Sequence, residues 1–216
     1  MYPGIKFEKS TESESETLIV TFCSLSGTYK EPPVFEFTNF LRKVSYNSDR
    51  LFFIDYTRSW YQYGVSDVSE NIQDFINYLR DFIKGYKYVV FMGISSGGYA
   101  AILFGSILNV DTVIGLVPQT LLKDEVCMNT YDSKYTSEHP YKDLKEVINH
   151  QTKYVLVCAD NIEGTDDIHG NGHCLRLEKT DNIEIKMIYW ETDILIRYRD
   201  EGLLKEIIFP HLNMPL

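Results

Sequence analysis

The sequence predicts a three-layer α/β fold with a mostly parallel central sheet. Short apolar runs rich in strand formers alternate with longer stretches that carry apolar residues at helical spacing. This is the order of a sheet whose crossovers are right-handed helices. The runs are nearly continuous rather than strictly alternating, which suits strands covered on both faces. One of them, Tyr88–Met92, leads through two glycines straight into a helical pattern.

The elements follow in chain order. A short strand around Ile5–Glu8 precedes the polar, acidic stretch Ser10–Glu16, read as a solvated loop. Thr17–Cys23 is the first core strand, and a helix is expected over about Phe35–Val44. Leu51–Asp55 is the next strand. Val68, Ile72, Phe75, Ile76, Leu79 and Phe82 then recur at helical spacing, predicting an amphipathic helix over about Val68–Lys84. Tyr88–Met92 and a helix over Gly98–Leu108 follow, then a strand at Thr112–Val117. Gln119–Pro140 is longer than an ordinary connection, read as an active-site cap or plain surface. A helix at Tyr141–His150, strands at Lys153–Ala159 and Ile183–Trp190, and a helix at Arg199–Ile208 complete the chain. With no internal repeat or linker, its 216 residues are expected to form one domain, 1–216.

Composition narrows the function classes. A hydrophobic fraction of 44% argues for a packed core rather than disorder. A net charge of -10 without a basic run argues against nucleic acid and anionic membrane surfaces as partners. No apolar run has the length of a membrane span, and the first residues carry no basic-then-apolar leader. The expected location is therefore cytoplasmic. Cys23, Cys127, Cys158 and Cys174 form no C-x-x-C pair. They are expected to be buried, reduced thiols, with no metal site and no cofactor.

Gly93-Ile94-Ser95-Ser96-Gly97 reads G-x-S-x-G between a strand pattern and a helix pattern. In that setting the motif signifies a nucleophile elbow. The tight turn forces the serine backbone into a strained conformation, and a Cβ at the flanking positions would collide with neighbouring elements. Ser95 Oγ would stand above the sheet, beside a helix N-terminus that favours developing negative charge.

The elbow marks the chain as α/β-hydrolase-like, and further segments resemble a narrower group. These are Phe53–Tyr61 (FIDYTRSWY), Gly93–Phe104 (GISSGGYAAILF), Val117-Pro118-Gln119-Thr120 and Gly202-Leu203-Leu204. They look like segments of small bacterial and viral α/β-hydrolase-like proteins that occur with glycan and capsule biosynthesis machinery. The resemblance spans about Thr17 to Ile208. It implies a Ser/acid/His site, with the acid in the loop after the Lys153–Ala159 strand and the histidine after the last strand.

For the acid, Asp167 is the first choice, before Asp166 and Asp160. Where the resemblance implies a histidine, the chain carries Asp193. A carboxylate is a poor base near neutral pH. His169, His173 and His211 remain as substitutes, and His173 is taken as the candidate catalytic base. The competing reading makes it a loop-stabilising residue. A metal pair in His169–His173 is set aside, because no further ligands are spaced around it. The oxyanion donors implied are the main-chain N–H of Ser96 and one from the Ser24 loop. Asp55 is either a substrate contact or a turn cap. Trp60 and Tyr61, with Tyr63, form either an aromatic substrate wall or ordinary packing.

The leading functional expectation is a serine hydrolase of esterase or deacylase type acting on a glycan or small ester. The alternative is a catalytically inactive binding or accessory protein in glycan assembly.

Overall fold

In the computed structural model the described residues are 2–11, 14–28, 30–45, 47–123, 139–178, 180–189, 191 and 202–212. Seven strands form one sheet: β1 (Ile5–Glu8), β2 (Thr17–Phe22), β3 (Asp49–Phe53), β4 (Tyr88–Ile94), β5 (Thr112–Leu116), β6 (Lys153–Ala159) and β7 (Ile183–Ile188). Their spatial order is β1-β3-β2-β4-β5-β6-β7. Every pair is parallel except β1 with β3. The chain runs outward from β2 to β3, then crosses back to β4. The β2/β4 boundary is thus the topological switch point, the place beyond the strand C-termini where open α/β sheets bind their ligands.

Six helices accompany the sheet among the described residues: α1 (Leu25–Thr28), α2 (Thr38–Val44), α3 (Ile72–Ile83), α4 (Ser96–Leu108), α5 (Gly172–Leu175) and α6 (Leu203–Ile208). Two apolar clusters cover the two faces of the sheet. One joins Leu18, Val20, Phe22 and Phe91 to α3 and α4 through Phe75 and Phe104. The other joins Ile19, Val90, Met92 and Ile114 to α2 and α6 through Leu41 and Ile208. Successive β2 residues therefore feed opposite layers, and β2 is buried at every position. That is why its sequence is continuously apolar.

Some expected boundaries shift for identifiable reasons. α2 starts at Thr38 because Phe37 is left-handed at φ 64°. α3 starts at Ile72, where the Asn71 side chain accepts from the Asp74 N–H. The helix expected over Tyr141–His150 is only a 3-10 turn, Leu144–Glu146. The Lys142 carbonyl and the Leu144 N–H pair instead with Leu122 and Thr120, which holds this segment extended against the chain after β5. The cysteine expectation is corrected too. Cys158 at the end of β6 and Cys174 in α5 form a disulfide with Cα atoms 6.3 Å apart. Cys23 remains a free, buried thiol. Among the described residues no helix is long and apolar enough to cross a membrane.

Candidate active site

The elbow is the most tightly specified part of the molecule. Ser95 lies between β4 and α4 at φ 55°, ψ -119°, a strained conformation for a residue with a side chain. Its own N–H is held by the Leu116 carbonyl at 2.9 Å, and its carbonyl accepts from Tyr99 at 3.0 Å. A Cβ on Gly97 would sit 2.0 Å from the Phe22 carbonyl oxygen, and one on Gly93 would sit 2.3 Å from the Gly97 main chain. The motif's glycines are thus required by the close approach of β2, β4 and α4. The Ser96 N–H is the first of α4 and has no acceptor within its own helix.

Two side chains converge on Ser95 Oγ. His169 Nε2 lies 3.1 Å away, and the Gln119 Nε2 group donates to Oγ at 3.2 Å. His169 comes from the loop between β6 and α5. Asp167 accepts the His169 main-chain N–H at 2.8 Å. Burial pushes the His169 imidazole below its ordinary pKa, and the Asp167 charge opposes that shift. The ring is therefore neutral at pH 7, as an acceptor for the serine proton must be. Asp166 is on the surface in an ion pair with Lys123, and Asp160 is exposed.

His173, the candidate base, is bonded elsewhere and takes the competing role of a loop-stabilising residue. His173 Nδ1 accepts the Thr120 N–H at 3.1 Å, while its main-chain carbonyl accepts the Thr120 hydroxyl at 2.6 Å. Burial lowers its pKa to about 4, against a hydrogen bond from the ring to the Asp167 carbonyl. His173 is thus a neutral staple between the Thr120 turn and the His169 loop. His169 itself was among the sequence candidates, four residues away. Asp193 lies outside the described residues.

The loop after β2 also differs from expectation. The Ser24 N–H donates to Glu36 Oε2 at 2.7 Å, and the Ser24 hydroxyl donates to Oε1 at 2.7 Å. The Ser24 donors are therefore already engaged by a carboxylate of the same chain.

Asp55 and Tyr61 are buried and committed to the fold rather than to a pocket wall. Asp55 accepts the N–H groups of Thr57, Ser59 and Tyr61 at 2.7–2.9 Å. Burial raises its pKa and these hydrogen bonds oppose the rise. The knot fixes a turn in which Arg58, Trp60 and Tyr61 all have positive φ. The Tyr61 hydroxyl donates to the Cys23 and Phe53 carbonyls. Trp60 is 2% exposed, yet its indole N–H reaches Gln119 Oε1 at 2.5 Å. Gln119 is not among the site residues expected from the sequence, although it stands in the Pro118-Gln119-Thr120 turn that carries part of the resemblance. Trp60, Gln119, Leu121, Leu122, Ile168 and His173 are among the residues that line a small pocket.

No protein-family model and no curated protein matches this sequence. Solved structures do. The capsule O-acetyltransferase of Neisseria meningitidis serogroup A superposes with a TM-score of 0.66 at 17% identity, covering 96% of this chain and 92% of that one. A fluorophosphonate-binding serine hydrolase of Staphylococcus aureus gives a TM-score of 0.62 at 15% identity, covering 99% and 94%. An α/β serine hydrolase without a lid, from Xanthomonas campestris, gives 0.52 at 12%, covering 98% and 90%. The chain has the α/β-hydrolase fold. Within that fold, Ser95 occupies the strand-to-helix turn, and the loop after β6 supplies the imidazole that meets it.

Proposed function

We propose that this protein catalyses serine-dependent acyl-ester chemistry, as an esterase or deacylase acting on a glycan or small ester. The observation that carries the reading is the 3.1 Å approach of His169 Nε2 to Ser95 Oγ on a strained elbow. The His169 nitrogen takes the serine proton as the Oγ lone pair forms a bond to the ester carbonyl carbon. The carbonyl π pair moves onto its oxygen, and the Ser96 N–H stabilises that oxyanion. As the carbonyl reforms, the alkoxy group leaves with the proton from His169. Water, or a sugar hydroxyl, then removes the acyl group by the same steps in reverse. Asp167 fixes the main chain of His169 and favours the transient imidazolium through its charge. The capsule O-acetyltransferase likeness supports an acyl group as the unit handled and a glycan hydroxyl as one acceptor. The protein is read as a single catalytic domain with a small-molecule or glycan ester substrate.

One observation favours the second reading, an inactive accessory protein. The Ser24 N–H, expected as an oxyanion donor, is occupied by Glu36.

A fluorophosphonate probe decides between the two. The expected outcome is labelling that disappears in Ser95→Ala and falls roughly 10²–10⁴-fold in His169→Ala, the range of general-base catalysis. The rate should rise with pH along a limb centred below 6.5, because burial keeps His169 neutral to lower pH. Failure of the folded wild-type protein to label supports the accessory reading.

A further inference from the structure

Gln119 is 2% exposed and its amide orientation is fixed by chemistry. The Trp60 indole nitrogen is a donor only, so the atom it meets at 2.5 Å must be the amide oxygen. The amide nitrogen is then turned toward Ser95 Oγ, 3.2 Å away. With His169 in its Nδ1–H tautomer, Ser95 Oγ has an acceptor for its proton on one side, His169 Nε2, and a donor to its lone pair on the other. Trp60 is itself set by the Asp55 knot, so a chain of buried contacts runs from the end of β3 to the nucleophile.

A donor that only bonded the resting serine would make it a poorer nucleophile. The same N–H is useful if it stabilises the charge that appears next to Oγ in the tetrahedral adduct, about one bond away. The Ser24 N–H, expected to meet that charge, is directed to Glu36, as is the Ser24 hydroxyl. We propose that the Gln119 side-chain amide is a catalytic donor, acting with the Ser96 N–H as the second half of the oxyanion hole. As Ser95 Oγ bonds to the ester carbon, its proton passes to His169 and the carbonyl pair moves onto oxygen. The Gln119 N–H then shifts from Oγ to that oxygen, and it returns when the carbonyl reforms. Trp60 is a positioning residue that prevents the amide from flipping.

This proposal rests on the Ser95/His169 reading, and turnover of 4-nitrophenyl acetate separates the two. Gln119→Leu should lower kcat by roughly 10²–10³-fold, as loss of one oxyanion donor does, with KM within threefold of wild type. Trp60→Phe leaves the amide in place but unpinned, so kcat should fall about tenfold with KM unchanged. A folded Gln119→Leu variant with kcat within threefold of wild type overturns the proposal and moves the second donor to a main-chain N–H of the loop after β2. If Gln119→Leu does not fold, Trp60→Phe decides, and a kcat within twofold of wild type overturns the proposal. Either result leaves Ser95 and His169 in place. If Ser95→Ala or His169→Ala turns over like wild type, the underlying reading fails and the Gln119 role falls with it.

Discussion

The elbow and the histidine loop meet at one oxygen atom, yet they are built differently. The elbow is held by main chain against main chain. Gly93 and Gly97 let β4 and α4 touch the Phe22 carbonyl of β2, three elements that cannot move apart without breaking the sheet. The loop between β6 and α5 is held by its own turns and by side chains. Asn171 donates to the Ile162 carbonyl, Gly172 to Gly164, and Gly170 to Asp167. His173 ties it to Thr120, and the Cys158–Cys174 disulfide closes it. Ser95 is therefore fixed by the core, whereas His169 is fixed by a removable set of staples. The structure places the strained residue where the core can hold it.

That contrast can be broken from either side. The largest effect is expected from Gly97→Ala, whose methyl group would overlap the Phe22 carbonyl at 2.0 Å. A main-chain atom of a central strand cannot give way, so a loss of roughly 3 kcal/mol or more is expected in urea unfolding, together with loss of labelling.

The second effect is a pH dependence localised to His173. Its pKa is about 4 in the folded protein and near 6.5 when unfolded. The unfolded state binds the proton first, so stability is full above pH 6.5 and is lost as pH falls toward 4. The loss is on the order of 3 kcal/mol. Unfolding of His173→Gln should be flatter across that window, and an equally steep profile would remove His173 as the cause.

Reduction of Cys158–Cys174, which are 16 residues apart, should cost about 3 kcal/mol in a chain-entropy account. Its signature is early exchange of amides between Ala159 and His173 while those of β4 remain protected. Uniform loss of protection would mean that the loop and the elbow unfold together.

The smallest effect is expected at Gly164, whose φ is +79° but whose Cβ would meet nothing within 4 Å. Gly164→Ala should cost only about 1–2 kcal/mol of backbone strain. A loss as large as that of Gly97→Ala would erase the distinction between the two regions.

The alternation of strands and helices, the parallel sheet and the strained serine turn are legible in the chain alone. Each of these depends on neighbours in the chain: continuous apolar runs for strands buried on both faces, and glycines flanking a serine. Local reading failed where pairing was non-local. Tyr141–His150 has a helix-like pattern, but its backbone is bonded to the chain at Thr120–Leu122. The two histidines lie four residues apart in one glycine-rich segment. Only the turns of the loop direct His169 to Ser95, 74 residues away, and His173 to Thr120. Gln119 stood in a turn that carries part of the resemblance, but its orientation was not legible, because it is set by the Trp60 indole, 59 residues distant, on a turn that Asp55 organises. Tertiary structure decided these assignments because a side chain's role depends on which donor or acceptor stands opposite it, and spacing along the chain does not encode that.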